Sequence, residues 1–343
     1  MAKRKDIIAG FDIGGAHLKV ARVEGGKVVG AMTIGAPLWQ GLESLDVAFR
    51  QAAPVYADAE LCAFTMTGEL SEAFPSREAG VASLLQQIAK RFPTEEKRIY
   101  TTRSGLVSVE QAAAVPVEVA SANWHATATL VAKLAGDALF VDIGSTTTDI
   151  IAIDAGKVVN EGFTDAERLR TGELVYTGFV RSFPFALTSR APVGGRFTPL
   201  MNEYFSTMAD VHRIMGVLQE KDDQHRTADN KEKSLPASIT RLARIVGRDA
   251  EDLSESEWRH IAEWFSEHQL RAIHDASFLV SLRVAKDAPV VGAGIGRWQI
   301  ARLAERLGRR FVDLAELIPA TAEARITASD AAPAVAVALL AEG

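Results

Sequence analysis

Two short segments of the sequence each place an aspartate before small residues at the end of an apolar run. The first reads DIGGAHLK from Asp12, and the second reads DIGSTTTD from Asp142. A carboxylate beside exposed backbone N–H groups suits a phosphate with its Mg²⁺, because the carboxylate holds the hydrated metal while the amides donate to phosphate oxygens. Asp12 and Asp142 are therefore the predicted metal ligands and the first candidates for catalytic carboxylates.

Other residues of the two turns could also contact a phosphate. Glycine lets the backbone approach closely, hydroxyl groups donate hydrogen bonds, and Lys19 adds positive charge. The candidate diphosphate or nucleotide ligands in the two turns are Gly14, Gly15, Ala16, His17, Lys19, Gly144, Ser145, Thr146 and Thr147. For His17, donation to a phosphate oxygen and simple packing beside the strand are equal alternatives.

The two segments belong to an internal repeat. The nineteen residues from Asp12 align without a gap on the nineteen from Asp142, and seven of these positions are identical. Each copy begins with an apolar strand, turns at small residues and continues into an alternating strand, which is typical of a three-stranded meander. A single Asp-x-Gly is most often a structural turn, but the duplicated pair predicts two related lobes whose turns face one cleft.

A third glycine-rich turn contains Gly292, Gly294 and Gly296, between the apolar run APVV and a helical pattern. The third glycine falls one place early for a dinucleotide fingerprint, so NAD binding is not expected. Close approach of a nucleotide or another flat ligand is one interpretation of this turn. Tight packing of a helix on a strand is the other.

A reaction at a hydroxyl or phenol needs a general base, and two glutamates are candidates by motif. Glu69 lies in MTGEL and Glu173 in RTGEL, each after a Thr-Gly pair. A positioned carboxylate can accept the proton of the attacking group. An exposed side chain or a capping box is the structural alternative for each glutamate.

Four further residues are candidates for substrate binding. Asn123 and Trp124 begin a helical pattern and could set a flat ring against an aromatic substrate, although a Trp at this position more often anchors its helix. Arg181 could bind a carboxylate or phosphate through its planar fork, or lie at the surface. Asp229 lies in a polar run that could fold over the cleft or remain a solvated loop.

Composition excludes several functional classes. The chain has 343 residues, and its 38 Lys and Arg against 44 Asp and Glu give a net charge of −6, so nucleic acid is not an expected partner. No apolar stretch approaches the roughly 20 residues that span a membrane. The single cysteine, Cys62, forbids an internal disulfide and lies in an apolar run that predicts a core position. These features predict a cytoplasmic protein with small-molecule ligands.

The two Asp-x-Gly turns and the late GAGIG turn resemble the phosphate-1, phosphate-2 and adenosine motifs of the actin, sugar kinase and Hsp70 superfamily. More narrowly, the chain is similar to a branch related to hydantoinase A and oxoprolinase. The motifs that carry this likeness are DIGGAHLK, MTGEL, SANW, DIGSTTTDI, RTGELVYTG, TMADVHRI and TADNKEKS. Superfamily kinases often have Thr or Ser near the position of Ala16, and no sugar-kinase substrate signature is found.

The resemblance implies an α/β fold with duplicated ribonuclease H-like, actin-like domains that face each other across a cleft. The first lobe is expected over residues 1–125 and the second over 126–309, with a helical insert at about 202–280. The segment 310–343 is expected to close the first lobe.

The resemblance also implies a function. Members of this branch are associated with tetrahydromethanopterin-linked one-carbon metabolism, and archaeal counterparts act in methanofuran biosynthesis. The implied reaction is a transfer that joins an aminomethylfuran diphosphate to the phenol of a tyrosine- or tyramine-derived acceptor and releases pyrophosphate. Mg²⁺ is the implied cofactor, the two small molecules are the partners, and a homodimer is compatible with this reading. An ATP-dependent small-molecule kinase or an oxoprolinase-like ATPase is the alternative, so ATP binding stays open.

Overall fold

Two mixed β-sheets are built around the two copies of the repeat in the computed structural model, which describes residues 6–342. The strands of the first sheet are β1 (Ile7–Ile13), β2 (His17–Glu24), β3 (Lys27–Gly35), β4 (Leu61–Met66), β5 (Glu96–Thr101) and β6 (Gly105–Val107). Their order is β3-β2-β1-β4-β5-β6, and β1 pairs in parallel with β4. Cys62 is buried in β4, which confirms its predicted core position.

The second half of the chain forms the other sheet. Its strands and those of a separate hairpin are β7 (Ala138–Ile143), β8 (Thr148–Asp154), β9 (Lys157–Val158), β10 (Leu174–Val175), β11 (Arg190–Val193), β12 (Arg196–Pro199), β13 (Val290–Ala293) and β14 (Phe311–Asp313). The sheet order is β10-β8-β7-β13-β14, β9 pairs with β8, and β11 with β12 forms the hairpin. As β1 does with β4, β7 pairs in parallel with β13.

Helices cover both sheets. They are α1 (Glu43–Tyr56), α2 (Arg77–Arg91), α3 (Val109–Ala113), α4 (Pro116–Val119), α5 (Asn123–Ala135), α6 (Asp165–Thr171), α7 (Pro184–Leu187), α8 (Met208–Met215), α9 (Leu235–Ile245), α10 (Glu255–Ser281), α11 (Arg297–Leu307), α12 (Leu314–Leu317), α13 (Ala322–Ala328) and α14 (Ala332–Ala341). Local sequence explains their ends: Ser76 caps α2, while α6 begins with a Thr164–Glu167 capping box and ends at Gly172 with φ +77°.

The predicted repeat is confirmed as two meanders of equivalent register. In the first meander, Asp12 pairs with Lys19 across β1 and β2. In the second, Asp142 pairs with Asp149 across β7 and β8. Both Asp12 and Asp142 lie near the carboxyl end of a strand that has a parallel neighbour, which is where open α/β sheets bind ligands.

The two lobes share their largest apolar core. Helices α5 and α14 pack against each other between the sheets, and the same cluster contains Ile8 of β1 and Phe140 of β7. Within the segment 310–343, β14 joins the second sheet, whereas α13 and α14 cover the first. The region around 202–280 contains α8, α9 and α10, which form their own apolar cluster with the β11–β12 hairpin.

Within residues 6–342, no helix combines the length and the apolar character that a membrane crossing needs.

Close packing of α14 on β1 predicts a strong effect at Gly10. A Cβ added to Gly10 would lie 2.0 Å from the carbonyl oxygen of Ala334. We expect Gly10→Ala to lower the free energy of unfolding by about 1–3 kcal/mol, because strand and helix must move apart. Gly30→Ala in β3 is the control, since a Cβ there meets no atom within 4 Å. Urea denaturation of both variants measures the difference, and equal stabilities would contradict this packing.

Candidate active site between the two lobes

The turns after β1 and β7 line one cavity of about 1010 Å³ between the lobes. The two turns have the same internal hydrogen bond, from Gly14 N to His17 O and from Gly144 N to Thr147 O, each at 2.9 Å. Fourteen of the residues singled out from the sequence lie in the cavity wall: Asp12, Gly14, Gly15, Ala16, His17, Lys19, Asn123, Asp142, Gly144, Ser145, Thr146, Thr147, Arg181 and Gly294. The fold therefore brings both turns and part of the third turn to one place.

Carboxylates dominate the charge at the centre of the cavity. Lys19 Nζ lies 3.5 Å from Asp12 Oδ2, and Asp142 and Asp149 complete the cluster. Asp149 is neutralised separately, because Arg168 donates to its Oδ1 at 2.7 Å. Asp12 and Asp142 are almost fully buried and share Lys19 as their nearby cation.

Burial changes the acidity of both aspartates. It raises the pKa of Asp12, although the Lys19 ammonium acts in the opposite direction. Burial raises the pKa of Asp142 to about 7, and the neighbouring Asp149 and Asp12 add to this effect against Lys19. Two buried carboxyl groups that repel each other are stabilised by an added cation.

The cavity fits a divalent cation that is shared with a ligand. Asp12 Oδ1 is buried and has no hydrogen-bond partner among the described residues. Residues 6–342 contain no group of three or more His, Cys, Asp or Glu side chains that could hold a metal by themselves. Mg²⁺ is usually held by one or two carboxylates together with water and substrate phosphate oxygens. Asp12 and Asp142 match that pattern rather than a closed protein cage.

The loop of residues 178–181 in the second lobe packs against the second phosphate turn, residues 144–147. Phe179 N donates to Gly144 O at 2.9 Å, and Arg181 N donates to Ser145 O at 2.8 Å. A Cβ on Gly178 would lie 2.4 Å from Thr146 N, so only glycine permits this approach. The backbone of the loop therefore holds the turn through main-chain hydrogen bonds.

Arg181 connects the second turn to aromatic groups of the first lobe. Its Nη1 donates to Thr146 Oγ1 at 3.3 Å, and its guanidinium carbon lies 4.6 Å from the ring centroid of Trp39. The His225 ring lies 5.5 Å from Trp39 and 4.7 Å from His17. Burial lowers the pKa of His225 to about 4 and that of His17 well below 6.5, so both rings are neutral at pH 7.

Most of the chain, residues 60–338, matches the hydantoinase/oxoprolinase family. The chain belongs to that family. One relative, (4-{4-[2-(gamma-L-glutamylamino)ethyl]phenoxymethyl}furan-2-yl)methanamine synthase of Methanocaldococcus jannaschii, is 30% identical over 293 residues, which is 84% of this chain and 87% of that protein. A protein of the same name from Methanococcus vannielii is 33% identical over 124 residues, covering 36% of this chain and 55% of the relative.

Solved structures show the fold of this hydantoinase/oxoprolinase family member. A nucleotide-free structure of acetone carboxylase aligns with a TM-score of 0.56 at 12% identity, covering 98% of this chain and 70% of that one. Together with the duplicated sheets, this likeness confirms the predicted α/β fold of two actin-like lobes.

Six residues singled out from the sequence lie outside the cavity wall of this family member: Glu69, Trp124, Glu173, Asp229, Gly292 and Gly296. Two of the glycines serve packing, since a Cβ on Gly292 would lie 2.6 Å from the Phe311 ring and one on Gly296 would lie 2.3 Å from Ile143 Cγ2. Trp124 is buried beneath Arg168, whose guanidinium carbon lies 4.1 Å from its ring centroid.

Two of the outlying carboxylates are occupied by structural contacts. Glu173 accepts from Glu161 N at 2.7 Å, Gly162 N at 2.9 Å and Thr171 Oγ1 at 2.9 Å, and it pairs with Arg283. Asp229 stays within the helical insert. It accepts from Arg241 Nη1 at 3.2 Å and from Lys231 N at 3.2 Å. Neither carboxylate is placed to accept a proton from a ligand in the cavity.

Several residues of the cavity wall were not predicted from the sequence, among them Trp39, Ser121, Asp149, Arg168, Tyr176 and Phe183. Asp149 could have been found, because it aligns with Lys19 when the repeat is superposed. Trp39 lies in the three-residue 3₁₀ helix Leu38–Gln40, and Tyr176 and Phe183 lie in irregular segments, so only the fold brings all three to one cavity.

Replacement of Asp142 separates binding from folding. We expect Asp142→Asn to weaken Mg²⁺-dependent pyrophosphate binding about tenfold or more, which corresponds to about 1.4 kcal/mol. The melting temperature should change little, because the amide has the same shape and removes a buried charge. Calorimetric titration and thermal denaturation measure the two effects. Asp154→Asn, at the exposed end of the same pair of strands, is the control. A collapse of the fold in Asp142→Asn would assign Asp142 a structural role.

Gly294 limits how the Asp142 carboxylate can lie. A Cβ on Gly294 would be 2.3 Å from Asp142 Oδ1, and the φ of Gly294 is +80°. We expect Gly294→Ala to displace the carboxylate and to weaken pyrophosphate binding. Gly308→Ala has the same left-handed strain, at φ +64°, but open space around the new Cβ. Titration of both variants isolates the steric effect, and equal affinities would show that Gly294 does not position Asp142.

Proposed function

We propose that this protein is a transferase of methanofuran- or methylofuran-type cofactor biosynthesis. It would condense an aminomethylfuran diphosphate with the phenol of a tyrosine- or tyramine-derived acceptor, form an aryl–alkyl ether and release pyrophosphate. The observation that carries the proposal is a single cavity that combines two phosphate turns with an aromatic wall. The likeness to two methanamine synthases supports the same reaction, which would supply tetrahydromethanopterin-linked one-carbon metabolism.

The charged end of the cavity is suited to the diphosphate. Backbone amides of both turns and the hydroxyl groups of Ser145, Thr146 and Thr147 are donors for its oxygens. Asp12 and Asp142 would hold Mg²⁺ against the same oxygens. When bound, Mg²⁺ neutralises charge that develops on the leaving pyrophosphate. Lys19 and Arg181 add positive charge at this end.

The aromatic residues of the cavity wall are suited to the two rings that react. Trp39, Tyr176 and Phe183 line the cavity, as do the apolar residues Leu70 and Leu174. Aromatic faces stack on flat rings and attract positive charge, so this wall would orient the furan and stabilise the cationic character of its methylene carbon. Arg181, stacked on Trp39, stands between the charged and the aromatic groups.

The bond changes follow from this arrangement. The phenol oxygen attacks the furfuryl methylene carbon and forms the ether C–O bond. The bond from that carbon to the diphosphate oxygen breaks, and its electron pair leaves with pyrophosphate. Fixing both molecules in one cavity between the lobes replaces a bimolecular encounter by a reaction of aligned neighbours.

An ATP-dependent reaction is the second candidate. It is favoured by Gly294 and Ile295, which line the cavity beside the second phosphate turn where a flat ligand could lie. The same turns would then hold the phosphates of ATP while a hydroxyl attacks in line. A cytoplasmic location and a homodimer stay predictions under either function.

A reconstituted reaction tests the proposal. We expect the protein with Mg²⁺, the furan diphosphate and either γ-glutamyl-tyramine or tyrosine to release pyrophosphate and to form an ether of the expected mass. Mass spectrometry and a pyrophosphate assay measure the products, and Asp142→Asn is the negative control. Saturable ATP binding, without ether from either acceptor, would instead support the ATP-dependent candidate.

A further inference from the structure

We propose that Ser121 and Glu69 form a proton relay that removes the phenol proton of the acceptor. This inference rests on the proposed condensation and assigns its base. Ser121 lines the cavity, and its hydroxyl group donates to the buried carboxylate of Glu69, which is the terminus of the relay.

The Glu69 side chain is a buried carboxyl group with unused hydrogen-bonding capacity. It lies in the short 3₁₀ helix Gly68–Leu70 after β4 and is 1% exposed. Ser121 Oγ donates to its Oε1 at 2.9 Å, whereas Oε2 has no hydrogen-bond partner among the described residues. A buried, partly unsatisfied carboxyl group is costly to the fold, which points to a role in chemistry.

Backbone packing holds Glu69 beside the first phosphate turn. Thr67 N donates to Ile13 O at 3.0 Å, and a Cβ on Gly68 would lie 3.2 Å from the carbonyl carbon of Gly14. On the other side, a Cβ on Gly80 of α2 would lie 2.4 Å from Glu69 O. The glutamate is therefore clamped between the turn and α2.

Ser121 adopts a backbone conformation that brings its hydroxyl to this carboxylate. Its φ is +50°, in the left-handed region that non-glycine residues rarely adopt. Such outliers cluster at functional sites, where the surrounding structure enforces them. Two residues later, Asn123 lies close enough to Asp12 to lower the pKa of that carboxyl group. The segment 121–123 thus lies beside both Asp12 and Glu69.

The surroundings give Glu69 a basicity suited to proton transfer near neutral pH. Burial raises the pKa of Glu69 to about 7, while the Ser121 hydrogen bond and Arg77 lower it and Asp165 raises it. Arg77 and Asp165, which face Glu69 from α2 and α6, are paired at 2.5 Å, so their effects largely cancel. A general base works best when its pKa lies near the working pH.

The relay balances as two concerted proton transfers. The phenol O–H gives its proton to Ser121 Oγ while the Ser121 hydroxyl proton passes to Glu69 Oε1. The phenol oxygen attacks the furfuryl carbon, and pyrophosphate departs with the electron pair of the broken C–O bond. Glu69 later returns its proton to solvent when the cavity opens.

The test compares Glu69→Gln, Ser121→Ala and Ser121→Gly with the wild type. We expect each variant to lose about 100-fold or more in kcat. The wild-type rate should rise with pH and level off above about 7, because only the ionised carboxylate accepts a proton, and Glu69→Gln should lose this dependence. Ser121→Gly removes the hydroxyl and also relieves the backbone strain. Ser44→Ala is the control, because Ser44 lies outside the cavity wall and its hydroxyl group donates to Gly41 O at 2.8 Å.

Two further measurements make the outcomes distinct. Thermal denaturation and Mg²⁺-dependent pyrophosphate binding should be close to wild type in all variants, which separates loss of the relay from loss of the fold or of the phosphate site. If the wild type forms ether and the folded variants keep its rate and pH profile, the relay is wrong while the condensation stands. If the wild type forms no ether with either acceptor, the proposed function fails and the relay fails with it.

Discussion

The candidate site depends on the burial of two aspartates from different sheets in one cavity. Asp12 and Asp142 repel each other, and Lys19 compensates only part of their charge. Burial of like charge is unfavourable without a further cation, so the cavity is electrostatically prepared for a metal that arrives with an anionic ligand. The folding energy for this arrangement comes from elsewhere, mainly from the shared apolar core of α5 and α14.

Close backbone approach keeps the two aspartates in place. The turns must lie near other main chains without side chains between them, and glycines at 178 and 294 make this possible. The Phe179–Arg181 loop then holds the second turn through backbone hydrogen bonds. The helical insert has its own apolar core, so its residues can reach the mouth of the cavity without disturbing the two sheets.

The cavity differs from a simple phosphate site because charged and aromatic groups share it. Trp39 belongs to the first lobe and Arg181 to the second. The stacking of Arg181 on Trp39 is therefore a contact between the lobes at the cavity wall. An enzyme that joins an aromatic diphosphate to a phenol needs charged groups for the diphosphate and aromatic groups for the rings, close together in one cavity. A proton acceptor that is buried behind the wall, as Glu69 is behind Ser121, lies away from water that could attack the furfuryl carbon.

The sequence by itself determined the repeat, the two turns and the α/β fold, because identical motifs at equivalent strand ends must fold alike. Fourteen of the candidate residues that it suggested lie in one cavity wall in the structure. It could not tell Glu69 from Glu173, although both follow a Thr-Gly pair. Only the tertiary structure brings Arg283, 110 residues further along the chain, to Glu173, and leaves one oxygen of Glu69 without a hydrogen-bond partner among the described residues. Local sequence supplies Thr171 as one donor to Glu173, but the contact with Arg283 forms only when the chain folds, so no local pattern records it.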